Sequence, residues 1–295
     1  FVPRFSSRGV ERMGRRCLTC LHSLVPMGVT ERMNLDFSSA SVRRLAWASL
    51  VANAAIIVSG ALVRLTGSGL GCPTWPRCTE QSYVPHGELG IHGMIEFGNR
   101  LITFVVGIAA VLALLAIWKS VERTRLRVRL AVLIALGVPL QAGIGGVTVL
   151  TGLNPWIVGL HLVLSVAMVS LASWLVFDLR SHYGHVDFGT TRLSIAAYAV
   201  LCASIYLGTI VTGAGPHAGD SGALRNGLDP ALWSKIHAWS VWLFIAMMLV
   251  LLWRLRAHPA RGRALAVLIL SLAQGGIGYA QYFTGLPRSL VSIHL

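Results

Sequence analysis

The stretch QAGIGGVTVLTGLNPWIVGLHL, residues 141–162, returns near the end of the chain as QGGIGYAQYFTGLPRSLVSIHL, residues 274–295. The two align without a gap at an offset of 133 and share ten of 22 positions. Among the shared positions are Gln141/Gln274, Gly145/Gly278, the runs Thr151-Gly152-Leu153 and Thr284-Gly285-Leu286, and His161/His294. Identity at that level points to two copies of one unit. Each copy reads as four helices. An even number keeps both copies in the same orientation, with a pseudo-axis along the membrane normal. Both carry Gly-x-Gly (Gly143 and Gly145, Gly276 and Gly278), which serves close helix packing or leaves room for a large flat ligand beside the backbone.

Composition places these units in a bilayer. The chain has 295 residues, 55% of them apolar, only 12% charged, and a formal net charge of +14. Mean hydropathy is +0.68. This excludes a soluble globular domain and a disordered chain, and five cysteines are too few for a disulfide-rich secreted fold of this length. A spanning helix needs about 20 apolar residues. Seven segments qualify: 45–63, 98–118, 130–150, 156–177, 194–213, 236–253 and 264–283. The runs are continuous rather than alternating, so membrane strands are not expected. Ser292-Ile293-His294-Leu295 opens an expected eighth helix that reads as cut short. The expectation is an all-α integral membrane protein of two pseudo-symmetric four-helix bundles, residues 45–180 and 194–295.

The basic residues set the topology. Nineteen of the 25 Lys and Arg fall in the first 44 residues and in alternate loops around 119–129, 180–192 and 254–263. The opposite loops hold only Arg64, Arg77, Arg225, Lys235 and Arg288. The positive-inside rule then predicts a cytoplasmic N-terminus, and the basic charge needs no nucleic acid to explain it. Residues 1–44 lack a signal-peptide pattern, and Met27 or Met33 offers an alternative start. Cys17 and Cys20 have C-x-x-C spacing without a βαβ context.

Ionisable residues in a span are costly and default to functional candidates. Here they are Glu96, Arg100, His161, His237 and His294, with His92 nearer a helix mouth. The histidines lie on even-numbered helices, His161 and His237 roughly 7–8 Å below the outward ends. Neutral imidazole is the usual axial ligand of haem iron, and bundle haem sites use facing helices. His237 and His294 are placed to clamp one porphyrin. The first copy keeps His161, while its second helix instead carries His92, Glu96 and Asn99 on one stripe. Arg100 pairs with Glu96 at i,i+4 or meets a haem propionate. Unequal pockets suggest one fixed cofactor and one reactive site. In the outer loop, Cys72 and Cys78 on the oxidising face favour a disulfide, structural or redox-active.

Several motifs together resemble bacterial haem A synthase. They are Val63-Arg64-Leu65-Thr66-Gly67-Ser68-Gly69-Leu70-Gly71-Cys72-Pro73-Thr74-Trp75-Pro76, Glu96-Phe97-Gly98-Asn99-Arg100, Thr212-Gly213-Ala214-Gly215-Pro216-His217-Ala218-Gly219-Asp220, and the two Thr-Gly-Leu…His-Leu stretches. The resemblance spans about residues 45–295. It implies eight helices in two halves and oxidation of the C8 methyl of haem O to a formyl group by successive hydroxylations. It further implies haem b on His237 and His294, substrate haem O on His161, Glu96 as the catalytic carboxylate, and Cys72/Cys78 as the outer-loop pair. Asn99 stands where many members have histidine, and His92 lies near the surface. The implied setting is the plasma membrane. A haem O synthase (protohaem farnesyltransferase) supplies the substrate, a membrane carrier the electrons, and cytochrome c oxidase receives the product. Homo-oligomerisation is compatible with it. Rival readings are a dihaem cytochrome that only transfers electrons and a small-molecule transporter.

Overall fold

The computed structural model describes residues 38–180, 186–216 and 218–294, all within one unit, Asp36–Leu295. Cys17, Cys20, Met27, Met33, His217 and Leu295 lie outside the described residues. The elements in order are α1 (Ser39–Leu65), a 3-10 turn (Gly87–Leu89), α2 (Gly90–Trp118), α3 (Arg125–Leu150), α4 (Pro155–Asp178), α5 (Phe188–Ala214), α6 (Pro230–Arg254), α7 (Arg261–Phe283) and α8 (Arg288–His294). Among the described residues there is no strand. Among the described residues seven helices, α1 to α7, are long and apolar enough to cross a membrane. The protein is an all-α, multi-pass membrane protein.

Local chemistry starts these helices. Ser38, Thr124, Asn154, Asp187 and Asp229 each accept a backbone N–H of the first turn, and Pro155 and Pro230 occupy the position where a missing N–H costs nothing. α2 begins eight residues before the apolar run at 98 that marks it in the sequence. His92, Glu96, Asn99 and Arg100 depress hydropathy over its first turns, but a loop folded onto them supplies partners to His92, Glu96 and Arg100, and α1 supplies one to Asn99.

The repeated Thr-Gly-Leu runs close α3 and α7 in the same way. Thr151 and Thr284 donate their hydroxyls to Val147 and Ala280 carbonyls, both at 2.7 Å. Gly152 and Leu153 then take φ of 61° and 57°, and Gly285 and Leu286 take 78° and 61°. The Leu153 and Leu286 N–H groups reach back five residues to Thr148 and Gln281, both at 2.8 Å. This is a Schellman-type closure. Left-handed backbone is unfavourable for leucine. Leu153 holds it because its side chain is buried with Ala218 and Ala223 in a small core between the outer loops.

α1 to α4 form a ring, α1 touching α2 and α4 while α3 touches both α2 and α4. Their core runs from Val42 and Ala46 through Ile117 and Ile134 to Leu175 and Val176. A second core joins α5, α6 and α7 around Ala197, Phe244, Met248 and Leu268. α4 packs on α5, and α8 touches α7 and α1. Large side chains such as Val58, Phe104, Ile108 and Leu136 remain more than half exposed around the outside. On a soluble surface such a band would drive association; in a bilayer it faces lipid.

Candidate functional site

Three histidines sit at matching depths. His161, His237 and His294 follow their helix starts by six, seven and six residues, about 9–11 Å along the axis. Each ring lies against a glycine of a neighbouring helix. A Cβ at Gly145 would stand 3.4 Å from His161 Cε1, at Gly208 3.3 Å from His237 Cε1, and at Gly278 3.0 Å from His294 Cε1. Gly145 and Gly278 are repeat partners, as are the histidines they accommodate. The second glycine of each Gly-x-Gly thus makes room for an imidazole, a role neither sequence reading of the motif identified. Gly143 and Gly276 face open space.

His237 and His294 meet with ring centroids 6.4 Å apart and planes at 87°. His237 Nδ1 contacts the Ser204 carbonyl at 2.9 Å, and His294 Nδ1 contacts the Gln274 carbonyl at 3.1 Å. A carbonyl only accepts, so each Nδ1 carries the proton and each Nε2 keeps its lone pair. Metal-ligating histidines are oriented in this way. One iron held between two imidazole nitrogens at about 2 Å on each side puts the centroids roughly 6 Å apart. The pair fits axial ligation of a haem iron. Ser204, Gly208 and Gln274 were not legible as site residues, since the signal lies in a carbonyl, a missing Cβ and a backbone position on other helices.

The first half differs. His161 Nδ1 is buried and, among the described residues, has no hydrogen-bond partner. Gln141 still reaches the turn that holds this histidine, donating to the His161 carbonyl at 3.2 Å, as Gln274 donates to Ile293 at 3.1 Å. Asn99 accepts from the Ser59 hydroxyl at 2.6 Å, which ties it to α1. His92 is exposed and bonds through Nδ1 to Ser68 Oγ at 2.8 Å.

Glu96 and Arg100 form the i,i+4 ion pair at 2.6 Å, and they also hold the outer loop. Glu96 is 5% exposed and accepts the Cys72 N–H at 2.6 Å through its other oxygen. Arg100 donates to the carbonyls of Cys72 (3.1 Å), Thr74 (2.9 Å) and Arg77 (3.1 Å). Gly71 permits the approach, because a Cβ there would lie 2.5 Å from the His92 carbonyl carbon. Cys72 and Cys78 form a disulfide, both fully buried. The loop also lays the Trp75 ring against Gly146 of α3.

A family model described as "Cytochrome oxidase assembly protein", COX15-CtaA, matches residues 43–220. Curated relatives include the heme A synthase of Lysinibacillus sphaericus (strain C3-41), 35% identical over 184 residues, covering 57% of this chain and 58% of that protein. The heme A synthase of Geobacillus kaustophilus (strain HTA426) is 28% identical over 183 residues, covering 58% and 56%. That of Bacillus mycoides (strain KBAB4) is 32% identical over 132 residues, covering 43% and 42%. The chain spans about half the length of the curated relatives it matches. No solved structure matches it.

Proposed function

The chain belongs to the COX15-CtaA family of cytochrome oxidase assembly proteins, and on that premise we propose that it is an oxidoreductase converting haem O to haem A. The C8 methyl of the substrate is hydroxylated twice with dioxygen as the oxidant. Each step places one oxygen atom on the methyl carbon and releases the other as water, with two electrons from the membrane carrier and two protons. The geminal diol then loses water to leave the formyl group. The observation that carries the reading is the opposed His237–His294 pair, each ring locked by a backbone carbonyl with Nε2 available. His161 supports it as the repeat partner of His294 in the other half.

His237 and His294 would hold haem b, which would supply electron transfer when bound. The carbonyls of Ser204 and Gln274 keep both imidazoles in the ligating tautomer, and Gly208 and Gly278 keep their rings from being displaced. His161 and Asn99 belong to the substrate half. Glu96 acts at the outward end of that half as proton acceptor or as a fixed negative charge, with Arg100 and the Cys72 N–H holding both carboxylate oxygens in place. A catalytic carboxylate must be fixed to within fractions of an ångström of its target. Residues 45–180 form the substrate half and 194–295 the haem b half. The N-terminus is cytoplasmic and the membrane is the plasma membrane. A haem O synthase feeds the enzyme, a membrane carrier reduces it, and cytochrome c oxidase takes the product.

The test is chromatography of haems extracted from membranes that express the protein together with a haem O source. Haem A or the hydroxylated intermediate is expected from the wild type, and Glu96→Gln retains haem b while yielding neither. Haem b alone from well-folded wild type, with haem O unchanged, would sink the proposal in favour of an electron-transfer cytochrome.

A further inference from the structure

Where α1 begins and α4 ends, a cavity of about 610 Å³ is lined by Ala40, Arg43, Arg44, Trp47, Leu179 and Arg180. The Arg180 guanidinium lies over the Trp47 ring, 4.9 Å from its centroid, a cation–π contact that joins the two helices' contributions. Among the described residues, the carboxylates at this end lie nearest to Arg127. Arg127 takes Asp178 at 2.6 Å and Glu122 at 3.7 Å, and Glu122 reaches Arg43 only at 4.0 Å. Among the described residues no carboxylate pairs with Arg44 or Arg180. The cavity therefore holds a surplus of positive charge at the level of an exposed tryptophan, as at a membrane interface.

Apolar surface continues from the cavity along both helices. Val51 lies one turn beyond Trp47 and is 59% exposed, and Phe177 and Trp174 lie one and two turns before Arg180, 43% and 54% exposed. A free phosphate uses only the arginines. A molecule with a phosphate at one end and hydrocarbon at the other uses all of it.

We propose that this cavity binds the headgroup of an anionic phospholipid, its phosphate on Arg44 and Arg180 and its acyl chains along the α1–α4 seam. Basic pockets between spanning helices bind such headgroups, each arginine near the surface adding to the attraction. The site is separate from the histidine pockets and does not depend on their assignment.

The test compares the purified full chain in detergent with added phosphatidylglycerol, phosphatidylcholine or inorganic phosphate, reading thermal midpoint and lipid retained by native mass spectrometry. Phosphatidylglycerol is expected to raise the midpoint above phosphatidylcholine, and inorganic phosphate to leave it unchanged. Arg44→Gln with Arg180→Gln weakens phosphatidylglycerol binding roughly thirtyfold. Arg125→Gln with Arg129→Gln, the same charge change outside the cavity, keeps it. Equal effects of the two lipids, equal effects of the two variant pairs, or the same shift from inorganic phosphate would each overturn the assignment. A measurement on wild type alone guards against misfolded variants. Phosphatidylglycerol in phosphatidylcholine vesicles protects Arg44 and Arg180 from phenylglyoxal, and lack of protection relative to pure phosphatidylcholine overturns the site.

Discussion

The imidazoles of His237 and His294 face one another at 6.4 Å between centroids, and each turns its Nδ1 to a backbone carbonyl of a helix other than its own. Four helices thereby fix one pair of rings: α6 and α8 carry them, while α5 and α7 orient them. The arrangement ties ligand geometry to helix packing, so substitutions that leave both histidines intact still disturb the site.

Gly278→Val is the most direct check of that coupling. A Cβ at this position already stands 3.0 Å from His294 Cε1, and a branched side chain forces the ring out of line. Bis-histidine low-spin absorption of bound haem is expected to fall as far as in His294→Ala. Gly143→Ala, at a position facing open space, should leave it unchanged.

Asn99 should respond in the opposite direction. Asn99→His places an imidazole beside the Ser59 hydroxyl, in the half that carries His161, and on the proposed function it would offer haem O a second ligand there. The expected result is an added low-spin signal in protein loaded with haem O, with slower conversion. His161→Ala removes conversion but leaves the His237–His294 spectrum intact. An unchanged spectrum in Asn99→His would place Asn99 away from the iron.

Arg100→Ala removes the ion pair and three loop hydrogen bonds together. Loss of one partner of a buried pair leaves the other charge uncompensated, and about 3 kcal/mol of stability is expected to go with it. Thermal unfolding and proteolysis of the 66–89 loop measure it. Arg100→Lys should recover only part, since one ammonium cannot reach all the carbonyls the guanidinium fork does.

The Cys72–Cys78 disulfide should resist mild reductant in the folded protein. Both cysteines are fully buried beneath the clamped loop, and thiol–disulfide exchange requires access to a sulfur. Maleimide labelling after reductant treatment is expected only once Arg100→Ala or denaturant loosens the loop. Rapid labelling of the native protein would point to a redox-active pair instead.

Asp187 sets a pH dependence at the start of α5. The Thr190 hydroxyl, and then the Thr190 N–H, hold its carboxyl below the usual carboxylate range. A depressed carboxyl contributes to the helix start fully above its unfolded value and loses that contribution as pH falls through the folded one. Protection of the first-turn amides of α5 against exchange, relative to the free-peptide rate at each pH, should therefore fall below about pH 4, and Asp187→Asn should remove that dependence.

What the sequence left unread has a common cause. The apolar run of the second span opens at 98, and α2 itself starts at Gly90, consistent with the His92, Glu96 and Asn99 stripe read on that helix. Its first turns are polar in composition, and Glu96 is nonetheless buried because the outer loop brings it a backbone N–H and a guanidinium. The same loop turned Arg100 toward three carbonyls, contacts 23 to 28 residues distant that no helical periodicity encodes. His161 and His294 stood out as intramembrane repeat partners in unequal pockets, but the difference between their own Nδ1 surroundings did not. One Nδ1 has a carbonyl partner and the other has none among the described residues.

The amino-acid sequence by itself determined the membrane class and the seven long spans, because a continuous apolar run is a local requirement met within one segment. Only the tertiary structure decided that Gly145, Gly208 and Gly278 make room for imidazoles, that carbonyls select the tautomers of His237 and His294, and that Glu96 and Arg100 clamp the disulfide loop. Those depend on which atoms of distant helices come within 3–4 Å, and packing alone sets that distance.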